Sequence, residues 1–382
     1  MPSKFVLAAL ALVPHLWAAG LARAEVIAIE PGGKISLEDA ARRAKDGDTI
    51  SLAAGDFRGE VAVFAQSRLT IRGVAGKTRL LAMGRAAEGK GILVLRGQQV
   101  HVEGIEFRGA RVPDRNGAGI RFELGSLTVR NCRFLDNENG ILTAGNPGMT
   151  LTIENSEFGH NGAGDGQSHN LYVGAIDRLV VRGSYFHHAK VGHLLKSRAR
   201  DNDIRYNRLT DEIGGRASYE LEFPNGGRAL VLGNLIEQSS TTENSKIVSY
   251  GAEGYRWPVN SLTLVFNTLV DDRARPGIML DVRPGAVRLV AVNNLLVGLA
   301  PGFSRNLSGL VEGNHVAGLD VFANAIRDDY RLAHASPLLG KAQPVKLDGV
   351  TLSPDAEYVH PRTTRSLAAG QRSPGAFQTP AN

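Results

Sequence analysis

The chain has 382 residues, of which 43% are hydrophobic and 21% are charged, a balance too apolar for a disordered polypeptide. Its 45 glycines follow no Gly-X-Y period, which excludes collagen, and its single cysteine, Cys132, excludes an internal disulfide and a multi-cysteine metal site. The formal net charge of +6 is compatible with an acidic polymer as partner but does not by itself indicate one.

Residues 1–24 have the features of a cleavable signal peptide. Lys4 is a basic residue near the start, residues 5–19 are apolar, and residues 22–24 (Ala-Arg-Ala) form a small-x-small cleavage site. The apolar stretch is short for a bilayer span. The sequence therefore predicts a protein without a membrane span that is exported to the periplasm or secreted.

A short helix is predicted directly after this segment. Ser36 and Asp39 have the spacing of a capping box, and the helical pattern continues to Lys45. The turn at residues 46–48 ends the pattern, and residues 49–52 alternate as a strand does. A helix in this position can cover the open end of a sheet.

From about residue 69 the sequence repeats with a period near 27 residues. Short β-patterned runs end in a recurring turn, and the gaps between successive turns are 27, 24, 28, 23, 27, 33 and 27 residues. The reference positions of these turns are Ile105, Cys132, Ser156, Ser184, Asn207, Asn234, Asn267 and Asn294, with Asn314 as a candidate for one further turn. The leucine-rich repeat pattern is absent, so the period predicts an all-β parallel β-helix in which the asparagines align and bond along the stack.

The cap and the end of the chain resemble one known superfamily. Residues 46–57 (Asp-Gly-Asp-Thr-Ile followed by Gly-Asp-Phe) and the closing segments 329–337 and 374–377 are similar to those of the pectin-lyase-like right-handed parallel β-helices. The resemblance implies one β-helix domain over residues 25–340 with an N-terminal capping helix. Residues 341–382 are predicted to be a tail packed on the last coils.

One face of the predicted solenoid carries stacked polar residues. If the aliphatic residues of five successive coils point inward, strand alternation directs their polar neighbours outward. The predicted outward residues are Asn170, Tyr172, Lys196, Arg198, Arg200, Glu220, Glu222, Lys246, Tyr250, Asp281 and Arg283. Such a groove suits an acidic polysaccharide: cations neutralise a uronate carboxylate, a base removes the C5 proton, and an acid protonates the leaving oxygen.

Residues 193–207 carry a second resemblance. The run His-Leu-Leu-Lys-Ser-Arg, followed by Asn202 and by Tyr-Asn at 206–207, resembles the alginate lyase and chondroitinase B family. In that family a lysine is the proposed base, an arginine from the next coil is the acid, and calcium neutralises the uronate. The resemblance implies that Lys196 is the base. The next coil reads Tyr-Glu-Leu-Glu at 219–222 where the family has a Leu-Arg-His-Gly type of sequence, so the arginine does not carry over.

Several assignments therefore stay open. The candidate catalytic residues are Lys196, Arg198, Arg200, His169 and Tyr172, with the last two as alternative general acids. The candidate substrate-binding residues are Asn170, His193, Lys246, Tyr250 and Arg283. Glu220 and Glu222, assisted by Asn170, are candidate calcium ligands because calcium prefers oxygen donors.

Other functions compete with this interpretation. Asp271 and Asp272 are similar to the paired carboxylates of a β-helix glycoside hydrolase, and a C5-epimerase or a noncatalytic carbohydrate-binding or envelope protein also fits the scaffold. Every charged residue of the stack also fits an ordinary ion pair. His187, His188 and His193 suggest zinc, but adjacent residues of a strand point to opposite faces, which argues against it. No nucleic-acid motif is present, and we expect a monomer.

Overall fold

The computed structural model describes residues 24–242, 244–304 and 307–381. The predicted signal peptide falls almost entirely outside the described residues. Within them, no helix has the length and apolar character needed to cross a bilayer. The chain coils repeatedly through three long sheets, which we call sheet 1, sheet 2 and sheet 3, and all three are parallel throughout.

Sheet 1 has 12 strands and sheet 3 has 11, and each coil contributes one strand to each. The strands of sheet 1 are Val26–Ile29, Thr49–Leu52, Arg68–Arg72, Gln99–Glu103, Ser126–Arg130, Thr150–Glu154, Arg178–Arg182, Asp201–Arg205, Arg228–Leu232, Ser261–Val265, Arg288–Val292 and Leu310–Glu312. The strands of sheet 3 are Gly55–Arg58, Thr78–Leu81, Ile105–Arg108, Arg133–Leu135, Glu157–Gly159, Tyr185–His187, Arg208–Thr210, Leu235–Gln238, Thr268–Asp271, Leu295–Gly298 and His315–Val316.

Sheet 2 has nine strands and carries the predicted polar face. Its strands are Ala62–Phe64, Gly91–Leu95, Ala118–Phe122, Asn139–Thr143, Leu171–Val173, His193–Ser197, Tyr219–Phe223, Lys246–Tyr250 and Ile278–Val282. Every neighbour in the sheet comes from the preceding or following coil. Residues about 27 positions apart are therefore in contact, and the predicted right-handed parallel β-helix is confirmed.

The predicted N-terminal cap is also present. Ser36 caps the helix Leu37–Arg43, its side chain accepts from the Asp39 N–H, and the Asp39 carboxylate accepts from the Ser36 N–H. Leu37 and Ala40 are buried against the first coils. The helix thus covers apolar residues that the end of the solenoid would otherwise expose.

Beyond the last coil the chain forms short antiparallel pairs and single turns of 3-10 helix. The pairs are Phe322–Asn324 with Asp329–Leu332, Val345–Leu347 with Val350–Leu352, and Ala356–Val359 with Thr363–Ser366. The 3-10 turns are Leu319–Val321 and Ala325–Arg327. Tyr206 on the solenoid donates to Asp355 at 2.7 Å, so the C-terminal segment contacts the coils.

Stacked side chains of one kind fill the interior along the solenoid axis. Phe107, Phe134, Phe158 and Phe186 lie on successive coils with ring centroids 4.7–4.9 Å apart and nearly parallel planes. That separation equals the spacing of neighbouring strands. The repeat therefore places like residues in contact, and the buried column holds adjacent coils in register.

The predicted polar ladder at the turns is confirmed. The backbone N–H of Asn207 donates to the side-chain oxygen of Asn234 at 2.9 Å, and the N–H of Asn234 donates in the same way to Asn267. The series begins with Cys132, Ser156 and Ser184, where serine hydroxyls take the place of the amide, and it ends at Asn314. Cys132 is fully buried, and burial raises the pKa of its thiol to about 12, which excludes a nucleophilic role at neutral pH.

Candidate functional site

The outer face of sheet 2 carries a row of polar side chains on consecutive coils. Tyr172 pairs with Lys196, and Lys196 pairs with Glu222 in the parallel register. The row continues through Ser249 to Asp281. The next residue toward the chain start in each strand (Leu171, Leu195, Leu221, Val248 and Leu280) is buried in the core. Strand alternation therefore places Tyr172, Lys196, Glu222 and Asp281 on one face of sheet 2, as predicted.

Lys196 lies between two carboxylates. Its Nζ is 3.3 Å from Glu222 Oε2 and 3.1 Å from Glu253 Oε1, and its side chain is 14% exposed. Burial would raise the pKa of Glu222, but the hydrogen bond from His193 and the nearby positive charge hold it below its usual value. Glu222 is therefore an anion that faces the amine.

Arg198 joins the phenol of Tyr172 to the same cluster. Its Nη1 donates to the Tyr172 hydroxyl at 2.5 Å, and its guanidinium lies over the Tyr172 ring, 5.0 Å from the centroid. Its Nη2 donates to Glu253 at 2.7 Å. Burial opposes ionisation of Glu253, but bonds from Arg198 and Lys196 lower its pKa. Phenol, guanidinium and amine thus lie side by side on two adjacent coils.

His193 lies beneath this cluster, which does not support direct contact with a substrate. Its side chain is 7% exposed, its Nε2 donates to Glu222 at 2.8 Å, and its Nδ1 accepts from the Ser218 hydroxyl at 3.1 Å. These partners fix the neutral tautomer with the proton on Nε2. Burial lowers the pKa of His193, in agreement with a neutral ring. Its position indicates that it orients Glu222.

His169 packs next to His193 with its ring buried. Its Nδ1 accepts from the backbone N–H of His193 at 2.9 Å, and its ring meets Tyr172 edge-on with centroids 5.1 Å apart. Burial, with the positive charges nearby, holds the pKa of His169 well below its usual value. A neutral, buried imidazole is a poor general acid, so of the two predicted acids the geometry favours Tyr172.

Three residues predicted to face outward point inward instead, and these predictions are wrong. Asn170 is fully buried in a second asparagine ladder, where its Oδ1 accepts from Asn161 and its Nδ2 donates to the His187 carbonyl. Tyr250 is buried, and its hydroxyl donates to the Gly227 carbonyl. Glu220 is fully buried beside Gln238, whose Nε2 is 3.4 Å from Glu220 Oε2.

The inward position of Glu220 rules out the predicted pair of calcium ligands. Burial, with the nearby negative charge of Asp211, raises the pKa of Glu220 well above its usual value. Glu222 lies on the other face of the same strand, where His193 and Lys196 already occupy its carboxylate. One ion cannot contact both carboxylates, so the residues present do not fit the calcium site that the resemblance implies.

The remaining predicted residues extend or leave the groove. Lys246 donates to Asp281 at 2.6 Å, and Arg283 Nε is 3.7 Å from the same carboxylate, so both lie along the row at its far end.

Arg200 turns toward sheet 1, where it contacts Asp201 at 3.1 Å and Asp177 at 3.6 Å. Arg200 therefore shares no described contact with Lys196, since the strand ends at Ser197 and the chain turns.

The loop that covers the cluster was not predicted from the sequence. Residues 251–260 connect strands of sheets 2 and 1; Glu253 binds both Lys196 and Arg198, and Trp257 Nε1 donates to the Arg198 carbonyl at 3.1 Å. The 33-residue gap between Asn234 and Asn267, the longest of the series, was a signal for this insertion. The repeat period shows that residues are inserted, but it does not show which part of the structure the inserted loop contacts.

The paired acids proposed for hydrolysis lie elsewhere. Asp271 ends a strand of sheet 3, is buried, and forms an ion pair with Arg273 at 3.0 Å. Asp272 follows directly after this strand, which belongs to a different sheet from the polar row. Their position gives no support to a hydrolase active site on the polar face.

Comparisons with known proteins agree with the fold. The family described as right handed beta helix region matches residues 85–209, whereas no curated protein matches the chain in sequence. The solved structure of pectate lyase Pel9A is 13% identical, with 94% of this chain and 97% of that chain covered and a TM-score of 0.54. The PL6 family alginate lyase AlyGC is 15% identical over 77% of this chain and 40% of its own, with a TM-score of 0.38. At such identities, the likeness to Pel9A shows the fold alone.

Proposed function

We propose that this chain is an exported polysaccharide lyase that cleaves an acidic polysaccharide by β-elimination. The observation that carries the proposal is the row of Tyr172, Lys196 and Glu222 on three consecutive coils, with Arg198 bound to Tyr172. The fold supports it, because the similar structure Pel9A is by name a pectate lyase. Fold alone does not fix activity, so the argument rests on the side chains.

Lys196 is the base in this proposal. Its free amine takes the proton from C5 of a uronate, the C5–H electron pair forms the C4=C5 double bond, and the C4–O bond breaks. The ammonium that results is stabilised by Glu222 Oε2 at 3.3 Å and by Glu253 Oε1 at 3.1 Å.

Tyr172 and Arg198 complete the reaction. The Tyr172 hydroxyl gives its proton to the departing glycosidic oxygen, and the guanidinium that contacts it at 2.5 Å stabilises the phenolate left behind. The same guanidinium holds the Glu253 carboxylate at 2.7 Å, in the place that a substrate carboxylate would occupy. The chain's own cations thus neutralise the charge of the substrate carboxylate, and the proposed steps do not involve calcium.

An activity screen with matched variants tests this proposal. Purified protein is incubated with alginate, pectate, glycosaminoglycans and glucuronans, and the ultraviolet absorbance of the unsaturated product is followed. We expect Lys196→Ala to abolish the signal and Tyr172→Phe, which keeps the aromatic ring, to lower kcat by about 10²-fold or more. Lys346→Ala, at an exposed lysine of the C-terminal segment, is the control and should keep full activity. Activity retained in Lys196→Ala would overturn the assignment of the base.

A noncatalytic carbohydrate-binding protein is the second candidate. It is favoured by one observation, that Lys196 is held in ion pairs on both sides as a structural cation would be. It predicts that the wild-type protein retains an acidic polysaccharide in affinity electrophoresis while no product forms. Under this alternative, Lys196→Ala leaves polymer binding intact.

A further inference from the structure

Three histidines converge on the side of the solenoid formed by sheet 3, away from the groove. The ligand nitrogens of His160, His187 and His188 all lie within 4.8 Å of one another. Gly159 pairs with His187 in adjacent strands, so His160 and His188 follow at equivalent positions of two coils. Their rings stack with centroids 4.8 Å apart.

The backbone explains why adjacent histidines converge. His188 has φ of +45° and His160 has φ of +56°, so each leaves its strand in the left-handed conformation. The alternation of side chains between two faces therefore ends at His187. For this reason, the expectation that His187 and His188 point to opposite faces does not hold. His193, the third histidine of the sequence-based suggestion, lies in sheet 2 beside Glu222 and takes no part.

Gly159 makes the room that the His187 ring occupies. A Cβ at this position would lie 2.2 Å from His187 Cε1 and 2.3 Å from its Nε2. The strand pair thus accommodates an imidazole across a residue without a side chain.

The ring nitrogens of His187 and His188 face one another at short range. His187 Nδ1 and His188 Nδ1 are 2.9 Å apart. His188 Nε2 is 3.4 Å from the Ile213 carbonyl oxygen, which can only accept. His187 Nε2 is buried without a hydrogen-bond partner and lies 3.6 Å from the Glu157 carboxylate, also an acceptor. In the tautomer with protons on both Nε2 atoms, the two Nδ1 lone pairs point into the same space, where one cation can accept both.

We propose that His160, His187 and His188 bind a transition-metal dication of the zinc type. Imidazole nitrogens bind such an ion tetrahedrally at about 2.0–2.1 Å, so two ligands lie about 3.3 Å apart, close to the 2.9 Å between the two Nδ1 atoms. A carboxylate and a backbone carbonyl behind the ligating rings are the usual outer partners of metal-bound histidines. Calcium and magnesium prefer oxygen donors and do not suit three imidazoles.

The site has access to solvent. His160 and His188 line a surface cavity of about 260 Å³, which leaves room for water or a small anion as a further ligand. Lys190 and Arg216 also line this cavity. The Lys190 ammonium lies 3.4 Å from Asp136, so part of its charge is balanced. Two cations beside the open position favour an anionic fourth ligand.

Isothermal titration of the full-length protein with zinc chloride, after treatment with chelator, tests the site. We expect one zinc ion per chain. His160→Asn and His188→Asn should each weaken binding at least about tenfold, because each removes one ligand. Asparagine tolerates the left-handed conformation, so both variants should fold. His334→Asn, at an exposed histidine, is the matched control and should bind as the wild type does.

Cobalt provides a second readout that is independent of activity. Co²⁺ bound at the site should give visible ligand-field absorption that both variants lose and the control keeps. Gly159→Ala should also weaken binding, because its Cβ collides with the His187 ring. The proposal is overturned if the wild type binds no zinc, or if His160→Asn and His188→Asn bind it as tightly as the wild type.

Discussion

Single residues of the groove show where strand alternation is a reliable guide and where it fails. Tyr172, Lys196 and Glu222 lie in mid-strand, so their orientation followed from buried neighbours on either side. Glu220 lies opposite Leu194 of the preceding coil. Leu194 and its neighbour Leu195 are both buried, although strict alternation would expose one of them. At the start of these strands two successive residues face the interior, so their orientation could not be derived from alternation.

Glu253 is expected to compete with substrate for the two cations. Its carboxylate is 38% exposed, so its ion pairs are worth only about 0.2–1 kcal/mol. We therefore expect Glu253→Gln to lower KM for an acidic polysaccharide by about two- to fivefold, as measured by initial rates at several substrate concentrations. Glu312→Gln, at an exposed carboxylate of sheet 1, serves as the control. An unchanged or higher KM in Glu253→Gln would contradict this role.

Asp211 makes stability depend on pH. Burial raises the pKa of Asp211 from its usual 3.8 to about 7, while its Oδ2 accepts from the Ala217 N–H. Between these values the unfolded chain has released this proton and the folded chain keeps it, so stability falls as pH rises from about 4 to 7.

Asp211→Asn keeps an acceptor for Ala217 and removes the ionisation. We expect the variant to gain stability relative to the wild type at pH 8 and to gain none at pH 4, as measured by urea unfolding at both values. Asp320→Asn, at an exposed carboxyl, should show no such difference. A gain of equal size at both pH values would contradict the ionisation argument.

At the scale of elements, the turn ladder was predictable because its residues recur at one position of the repeat. The second ladder, of Asn137, Asn161 and Asn170, was missed because only its first step follows the repeat: Asn137 and Asn161 are 24 residues apart, but Asn161 and Asn170 are only nine residues apart. Loop length within a coil, which the period does not report, determines which asparagines align.

The turn ladder should be a major source of stability. The Asn234 side chain accepts from the backbone and side chain of Asn207 and donates to the Ile204 carbonyl and to Asn267. Asn234→Ala leaves these buried groups unpaired, at ~1–3 kcal/mol each, and we expect it to cost at least ~3 kcal/mol of unfolding free energy. Asn234→Ser should cost less, since Ser184 performs the same role for Ser156. Asn116→Ala, at an exposed site, should have little effect, and equal losses in all three would contradict the ladder argument.

At the scale of the whole molecule, the repeat length was sufficient to predict the β-helix, while the capping box predicted its helix and strand alternation predicted its polar face. It was not sufficient for the loop 251–260, whose Glu253 and Trp257 contact a coil that precedes it by more than 50 residues. The repeat fixes contacts between neighbouring coils, whereas an insertion reaches across several of them. The set of residues around Lys196 therefore depends on tertiary contacts that no local sequence pattern shows.

Mass spectrometry of the products formed from a panel of acidic polysaccharides tests the central claim most directly. Elimination leaves each new non-reducing end lighter by one water than hydrolysis would, because a double bond replaces the added hydroxyl and hydrogen. The proposed mechanism predicts unsaturated oligosaccharides with the wild-type protein and none with Lys196→Ala. Saturated oligosaccharides from the wild type, or unsaturated ones from the Lys196→Ala variant, would contradict the account.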